Sequence, residues 1–157
     1  MTHWEEEGRW YKAYYGTIAR ELGNDELVHE LFYFAHYANH CELFPEVNGV
    51  LNKLSQSYRL GIISNAMPSM DWIFDRLGIR QYFDSIILSA FVNVANPDEA
   101  IYHLALNTLQ HAEKAESVFI DDKRENVEAA KKVGMLGIHL DREKRDLLQL
   151  LKDYELL

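Results

Sequence analysis

Cysteine is nearly absent from this 157-residue sequence, and its scarcity excludes a fold built on disulfide bonds. Cys41 is the only cysteine, so no intrachain disulfide can form, which fits a reducing compartment. Long apolar runs are missing as well, so no segment is long enough to span a bilayer. No charged and then apolar leader of the signal-peptide kind opens the sequence. These absences predict a cytoplasmic protein.

Basic residues are also in short supply. The chain has 16 Lys and Arg against 25 Asp and Glu, a formal net charge of −9. A phosphate backbone needs a basic face that this composition hardly supplies, and no apolar run is long enough to span a bilayer. We therefore expect neither a nucleic acid nor a membrane partner. Hydrophobic residues at 48% and charged residues at 26% are typical of one ordinary globular domain.

The first third of the chain shows only helical periodicity. Residues 3 to about 56 contain few glycines and prolines and no strand-like alternation. Tyr11, Tyr15, Ile18 and Leu22 recur at helical spacing. The sequence therefore predicts a helical segment before any sheet.

From Tyr58 onward, short apolar runs alternate with helical stretches. The predicted strands end at Ser64, about Leu88, Ile120 and Leu140. Helical patterns include one opened by Pro97, one over residues 126–133 and a final one from about Glu143. Strict alternation with short connections predicts an α/β fold with a parallel sheet covered by helices on both faces. In such sheets ligands bind beyond the carboxyl ends of the strands.

A cluster of oxygen-bearing side chains follows the third predicted strand. Asp121 and Asp122 are adjacent, and Asn126 lies four residues beyond the second. Carboxylate and amide oxygens are the ligands that Mg²⁺ prefers, and a cation would relieve the repulsion between the two carboxylates. The alternative is that one of these aspartates only caps the next helix.

A second candidate site follows the first predicted strand. Ser64 and Asn65 offer a hydroxyl, an amide and backbone N–H groups at an expected helix start, which is suited to a phosphate-like anion. Here too the alternative is a helix cap, because Ser and Asn are common capping residues.

Three segments together resemble the haloacid dehalogenase (HAD) superfamily of hydrolases. "LGIISNA" resembles motif II, "VNVANPDEAIYHLAL" the motif III region, and "SVFIDDKRENVEAAKKVGM" motif IV. Their order and spacing are similar to the subfamily in which a small helical cap is inserted after the first strand. The resemblance covers residues 43–140, and more loosely residues 3–42. It implies a cap-like segment at residues 1–42 and a Rossmann-like α/β core at residues 43–157.

The resemblance also implies a chemistry and residue roles. The family activity is Mg²⁺-dependent hydrolysis of a phosphate ester through a covalent aspartyl intermediate. By position, Ser64 and Asn65 would bind the phosphoryl group of a small phosphorylated metabolite. Asp122 would be the principal Mg²⁺ ligand, supported by Asp121 and Asn126.

The sequence departs from the family at two points. The Asp-x-Asp motif, which supplies the nucleophile and the general acid at the end of the first strand, does not precede the helical segment. The lysine before the motif III proline is replaced by Asn96. The positive charge with which that lysine neutralises the phosphoryl oxygens is therefore lost. We therefore expect no catalytic residue of this family and no activity from the chain as it stands. The alternative function is a catalytically dead HAD-like binding or assembly module.

The expected loss of the first strand has a structural consequence. In the family this strand is central, between those that end here at Ser64 and Asp121. Unpaired strand edges are unfavourable, so either these two strands pair directly or the chain forms a homodimer through the vacancy. We expect the homodimer.

Overall fold

The N-terminal part of the protein is helical. The structure, a computed structural model, describes residues 2–109 and 112–157. Helix α1 (Trp4–Glu21) is followed by α2 (Leu27–Ala35) and a short 3-10 helix (Tyr37–His40). Gly23, with φ of +75°, occupies the left-handed region just after α1, where glycine is favoured. Residues 2–42 contain no strand, as the periodicity predicts. The division into domains at residue 42 stays a prediction.

The rest of the chain alternates strands and helices. The strands are β1 (Gly61–Ser64), β2 (Ser85–Leu88), β3 (Val118–Asp121) and β4 (Leu136–His139). The helices are α3 (Val47–Leu54), α4 (Met70–Arg76), α5 (Ser89–Val92), α6 (Glu99–Thr108), α7 (Arg124–Val133) and α8 (Leu147–Asp153). This is the predicted α/β, Rossmann-like fold, with parallel strands between layers of helices.

The strands form two parallel pairs rather than one continuous sheet. β1 pairs with β2, so that Ser64 lies opposite Leu88. β3 pairs with β4, so that Asp121 lies opposite His139. Among the described residues β1 and β3 do not pair with each other, which rules out the alternative of direct pairing. The homodimer stays a prediction. Apolar side chains of the covering helices line the space between the strands.

The core lies between the strands and their helices. One cluster contains the fully buried Ile101, Tyr102 and Ala130 from α6 and α7, and another contains Ile138 and Leu150 from β4 and α8. Both strand pairs are thus anchored to helices by apolar contacts. No helix in the described parts of the chain is both long and apolar enough to cross a membrane.

Three helix positions differ from the sequence prediction. The last helix begins at Leu147 rather than near Glu143, because Asp146 caps it by accepting a hydrogen bond from the Gln149 N–H. Helix α7 begins two residues earlier than expected, at Arg124. The single-turn helix α5 was not predicted, since four residues carry no periodic signal.

Candidate active site

The carboxyl end of β3 carries a compact set of oxygen atoms. Asp121 Oδ1 accepts a hydrogen bond from the Lys123 backbone N–H at 2.7 Å. Its Oδ2 accepts one from Asn126 Nδ2 at 3.1 Å. Asn126 is buried in the first turn of α7, whereas Asp122 is exposed. Both oxygens of Asp121 thus hold the start of α7 in place, and the Asp122 carboxylate faces solvent.

The cluster concentrates negative charge in a partly buried position. Burial raises the pKa of the Asp121 carboxyl above its ordinary value, and the neighbouring Asp122 raises it further. The hydrogen bonds from Lys123 and Asn126 oppose this rise without cancelling it. A bound cation would favour the ionised form of both carboxylates.

The donor set is chemically suited to Mg²⁺, although it is incomplete. Asp121, Asp122 and Asn126 all present oxygen, which is what a hard cation requires. Mg²⁺ takes about six oxygen ligands, including water and substrate phosphates. The described residues contain no group of three or more His, Cys, Asp or Glu side chains that could hold a metal. These three residues can therefore supply only part of a coordination sphere.

Two residues that sequence reasoning missed support this cluster. The Tyr102 hydroxyl donates to the Asn126 carbonyl oxygen at 2.9 Å. Burial, and then the charge of Asp121, raises the pKa of Tyr102 to about 12, so the hydroxyl keeps its proton. His139 Nε2 lies 2.9 Å from the Asp122 carbonyl oxygen. His139 could have been found from its place at the end of the strand next to β3, but no sequence signal marks Tyr102.

The second candidate site, at the end of β1, differs from expectation in one respect. Helix α4 begins only at Met70, so Ser64 and Asn65 are not at a helix start. The Asn65 side chain instead bonds the backbone of Asn96: Nδ2 donates to the Asn96 carbonyl oxygen at 2.8 Å, and Oδ1 accepts from its N–H at 2.7 Å. Asn65 thus positions the loop that carries Asn96.

Asn96 brings no charge to this region. Asn96 is 8% exposed, and its side-chain oxygen Oδ1 is buried without a hydrogen-bond partner among the described residues. A buried acceptor of this kind lacks a donor that would compensate its lost hydration. The residue at the position of the family lysine is therefore a neutral acceptor rather than a cation.

A cavity of about 460 Å³ beside β1 and β2 is lined by Asn65, Ser89 and Asn93, among others, but not by Asp121 or Asp122. No hydrogen bond in the described residues connects the pair Ser64 and Asn65 with the cluster at β3. The two candidate sites share neither this cavity nor a hydrogen bond among the described residues.

The chain resembles characterised phosphatases over part of its length. It is 28% identical over 87 residues to pyrimidine 5'-nucleotidase YjjG of Escherichia coli, covering 55% of this chain and 39% of that protein. It is 33% identical over 103 residues to glyceraldehyde 3-phosphate phosphatase of Methanothermobacter thermautotrophicus, covering 64% of this chain and 45% of that protein. The chain thus spans less than half the length of both relatives.

The fold comparison covers more of the chain. A HAD phosphatase from Thermococcus onnurineus superimposes with a TM-score of 0.72 at 20% identity, covering 92% of this chain and 88% of that structure. At this identity the match shows the fold alone. The sequence model of the haloacid dehalogenase-like hydrolase family matches residues 3–134 of this chain. The match includes the helical segment, β1, β3 and the Asp121 cluster, and the chain belongs to the haloacid dehalogenase-like hydrolases.

Proposed function

We propose that this chain supplies the Mg²⁺-binding and phosphate-binding parts of a phosphate-ester hydrolase that acts on a small phosphorylated metabolite. The observation that carries the proposal is the oxygen cluster of Asp121, Asp122 and Asn126 at the carboxyl end of β3. Family membership supports the reaction class. The two curated relatives, one a nucleotidase and one a sugar-phosphate phosphatase, support the substrate class.

Each residue has a defined part in this proposal. The exposed Asp122 carboxylate is the main Mg²⁺ ligand, and Asp121 supports it while holding α7. Bound Mg²⁺ would neutralise charge on phosphoryl oxygens. Ser64, opposite Leu88 of β2, would donate its hydroxyl to the phosphoryl group, and Asn65 holds the loop that carries Asn96.

The same geometry argues that the chain does not complete the reaction. An aspartyl intermediate requires a carboxylate in line with the leaving oxygen. In the described residues, neither Ser64 nor Asn65 has a carboxylate partner, and Asn96 cannot neutralise phosphoryl charge. We therefore expect binding of metal and phosphate without turnover.

Turnover is measured with p-nitrophenyl phosphate and Mg²⁺, and we expect no hydrolysis above the uncatalysed background. Phosphatase activity that Asp122→Ala abolishes would contradict the expected inactivity, because it would show that the turnover belongs to this chain and depends on the proposed metal ligand.

Metal binding is measured separately, with Mn²⁺ as a paramagnetic stand-in for Mg²⁺. Asp122→Asn should weaken Mn²⁺ binding by roughly tenfold, since it removes one of two charged ligands. Asp25→Asn, at an exposed aspartate before α2, is the matched control and should leave the affinity unchanged. If the Asp122 variant binds Mn²⁺ as tightly as the parent chain, the proposed metal site is wrong. The alternative function, a catalytically dead HAD-like binding or assembly module, is then the better proposal.

A further inference from the structure

A histidine at the end of β4 holds the main chain beside the oxygen cluster. His139 is the last residue of β4 and lies opposite Asp121 in the parallel pair of strands. Its Nε2 is 2.9 Å from the backbone carbonyl oxygen of Asp122. Because a carbonyl oxygen only accepts hydrogen bonds, Nε2 carries the hydrogen and donates it. The hydrogen bond of His139 thus goes to the main chain of the residue proposed as the main Mg²⁺ ligand.

Asp122 lies at a bend of the main chain. It follows the last residue of β3 and comes two residues before the start of α7. At such a position neither a strand ladder nor a helix fixes the peptide groups, so other partners must hold them. The rotamers open to a side chain depend on φ and ψ of its own residue. The direction of the exposed Asp122 carboxylate therefore depends on how firmly this bend is held.

The bend is held from two sides. On the helix side, the Asp121 carboxylate accepts hydrogen bonds from the Lys123 N–H at 2.7 Å and from Asn126 Nδ2 at 3.1 Å. On the strand side, His139 donates to the carbonyl oxygen of Asp122. The bonds on the helix side fix Asp121, whereas the bond of His139 fixes Asp122 itself.

The strand that carries His139 is anchored in the core. Its two neighbours, Ile138 and Leu140, are 1% and 6% exposed and pack in one apolar cluster with Leu150 of α8. The Leu140 N–H also donates to the Asp121 carbonyl oxygen at 2.9 Å. A donor on a fixed strand positions its acceptor more precisely than a donor on a loop does.

We propose that His139 is a positioning residue for the metal site, a role that rests on the proposed function. It holds the Asp122 peptide group so that the carboxylate is already directed toward the cation before the cation binds. Ordering a ligand in advance lowers the cost of binding, and partners that hold metal ligands in place contribute to metal affinity. The described residues contain no group of three His, Cys, Asp or Glu side chains that could hold a metal. His139 therefore acts through Asp122 rather than as a third ligand.

The test compares three variants of the full chain by their Mn²⁺ affinity, measured by electron paramagnetic resonance. His139→Phe keeps an aromatic ring suited to a strand but removes the donor, and should weaken Mn²⁺ binding by roughly tenfold. His139→Gln places an amide Nε2–H at a similar reach and should keep the affinity within about twofold of the parent chain. His103→Phe, at an exposed position of α6, is the matched control and should leave the affinity unchanged. Circular dichroism should show that all three variants fold.

A double-mutant cycle tests whether His139 acts through Asp122. In the Asp122→Asn background, His139→Phe should weaken Mn²⁺ binding further by less than about threefold, because no charged side chain is left to position. Fully additive losses would overturn the proposal, since His139 would then affect the metal independently of Asp122. Equal losses in the Phe and Gln variants would also overturn it, because the imidazole itself would then be required.

Two results distinguish a wrong role for His139 from a wrong metal site. If Asp122→Asn weakens Mn²⁺ binding and His139→Phe does not, the metal site stands and the positioning role is wrong. If neither variant weakens binding, the metal site itself is wrong and the role of His139 falls with it. Neither measurement requires turnover.

Discussion

At the scale of single residues, a buried carboxylate joins the helical segment to the α/β part. Glu7 of α1 is 1% exposed. Its Oε2 accepts the Ser69 backbone N–H and its Oε1 the Ser69 hydroxyl, each at 2.7 Å. The Tyr37 hydroxyl lies 2.6 Å from the same Ser69 oxygen. A buried charge is tolerated here because hydrogen-bond donors surround it.

Glu7→Gln tests this contact, because the amide oxygen can accept one of the two hydrogen bonds from Ser69 but the amide nitrogen cannot accept the other. We expect the free energy of unfolding to fall by about 1–3 kcal/mol, the cost of an unsatisfied buried polar group. Urea unfolding followed by circular dichroism measures the change. Glu5→Gln, in the same helical turn but exposed, should cost no more than a helix-dipole contribution of about 0.3–1 kcal/mol. Equal losses in the two variants would contradict the anchoring role of Glu7.

At the scale of elements, the packing of α7 on β4 depends on one glycine. A Cβ at Gly137 would lie 2.7 Å from the Val127 carbonyl oxygen, a contact with backbone that cannot move away easily. The helix therefore approaches the strand as closely as it does only because position 137 has no side chain. Asn126 of the same helix donates a hydrogen bond to Asp121 at the end of β3, the strand that pairs with β4.

Gly137→Ala should lower the free energy of unfolding by about 1–3 kcal/mol through overpacking. Gly49→Ala in α3, where a Cβ would meet nothing within 4 Å, should raise it by about 0.5–1 kcal/mol, because alanine favours a helix. Thermal unfolding of both variants measures the difference. A neutral Gly137 variant would show that α7 can shift away from the strand at little cost.

At the scale of the whole molecule, the free energy of unfolding should fall as the pH falls below neutrality. His36 is buried among the rings of Tyr11, Phe32 and Tyr37, and its Nδ1 accepts the Ala38 N–H at 3.2 Å. Burial lowers the pKa of His36 below its ordinary 6.5, although the charge of Glu7, whose Oε1 lies 3.8 Å from Nε2, acts in the opposite direction.

A histidine whose pKa is lowered in the folded state binds a proton more readily when unfolded. Its contribution to stability is therefore fully present above about pH 6.5 and is lost as the pH falls from there toward the folded-state pKa. Urea unfolding at pH 7.5 and pH 5.5 should show the loss. His36→Asn keeps an acceptor that does not titrate and should flatten the dependence over this interval. An unchanged pH dependence in this variant would assign the effect to other groups.

Much of the fold and part of the site follow from local sequence. Apolar runs bounded by polar residues predict the four strands, because a parallel strand that is covered on both faces favours apolar side chains along its length. The contact between Asp121 and Asn126 spans five residues across one strand-to-helix junction, so spacing alone brings the two together. The family motifs are equally local, and they predicted the family that the match over residues 3–134 shows.

Contacts between distant segments were decided only by the tertiary structure. Asn65 meets Asn96 across 31 positions, and Glu7 meets Ser69 across 62. Periodicity reports which face of an element is apolar, but not which partner covers it or how closely. The gap between β1 and β3 is a similar case. Apolar strands are predicted from sequence, whereas only the tertiary structure shows that β1 and β3 do not pair among the described residues, because burial of apolar surface has no direction of its own.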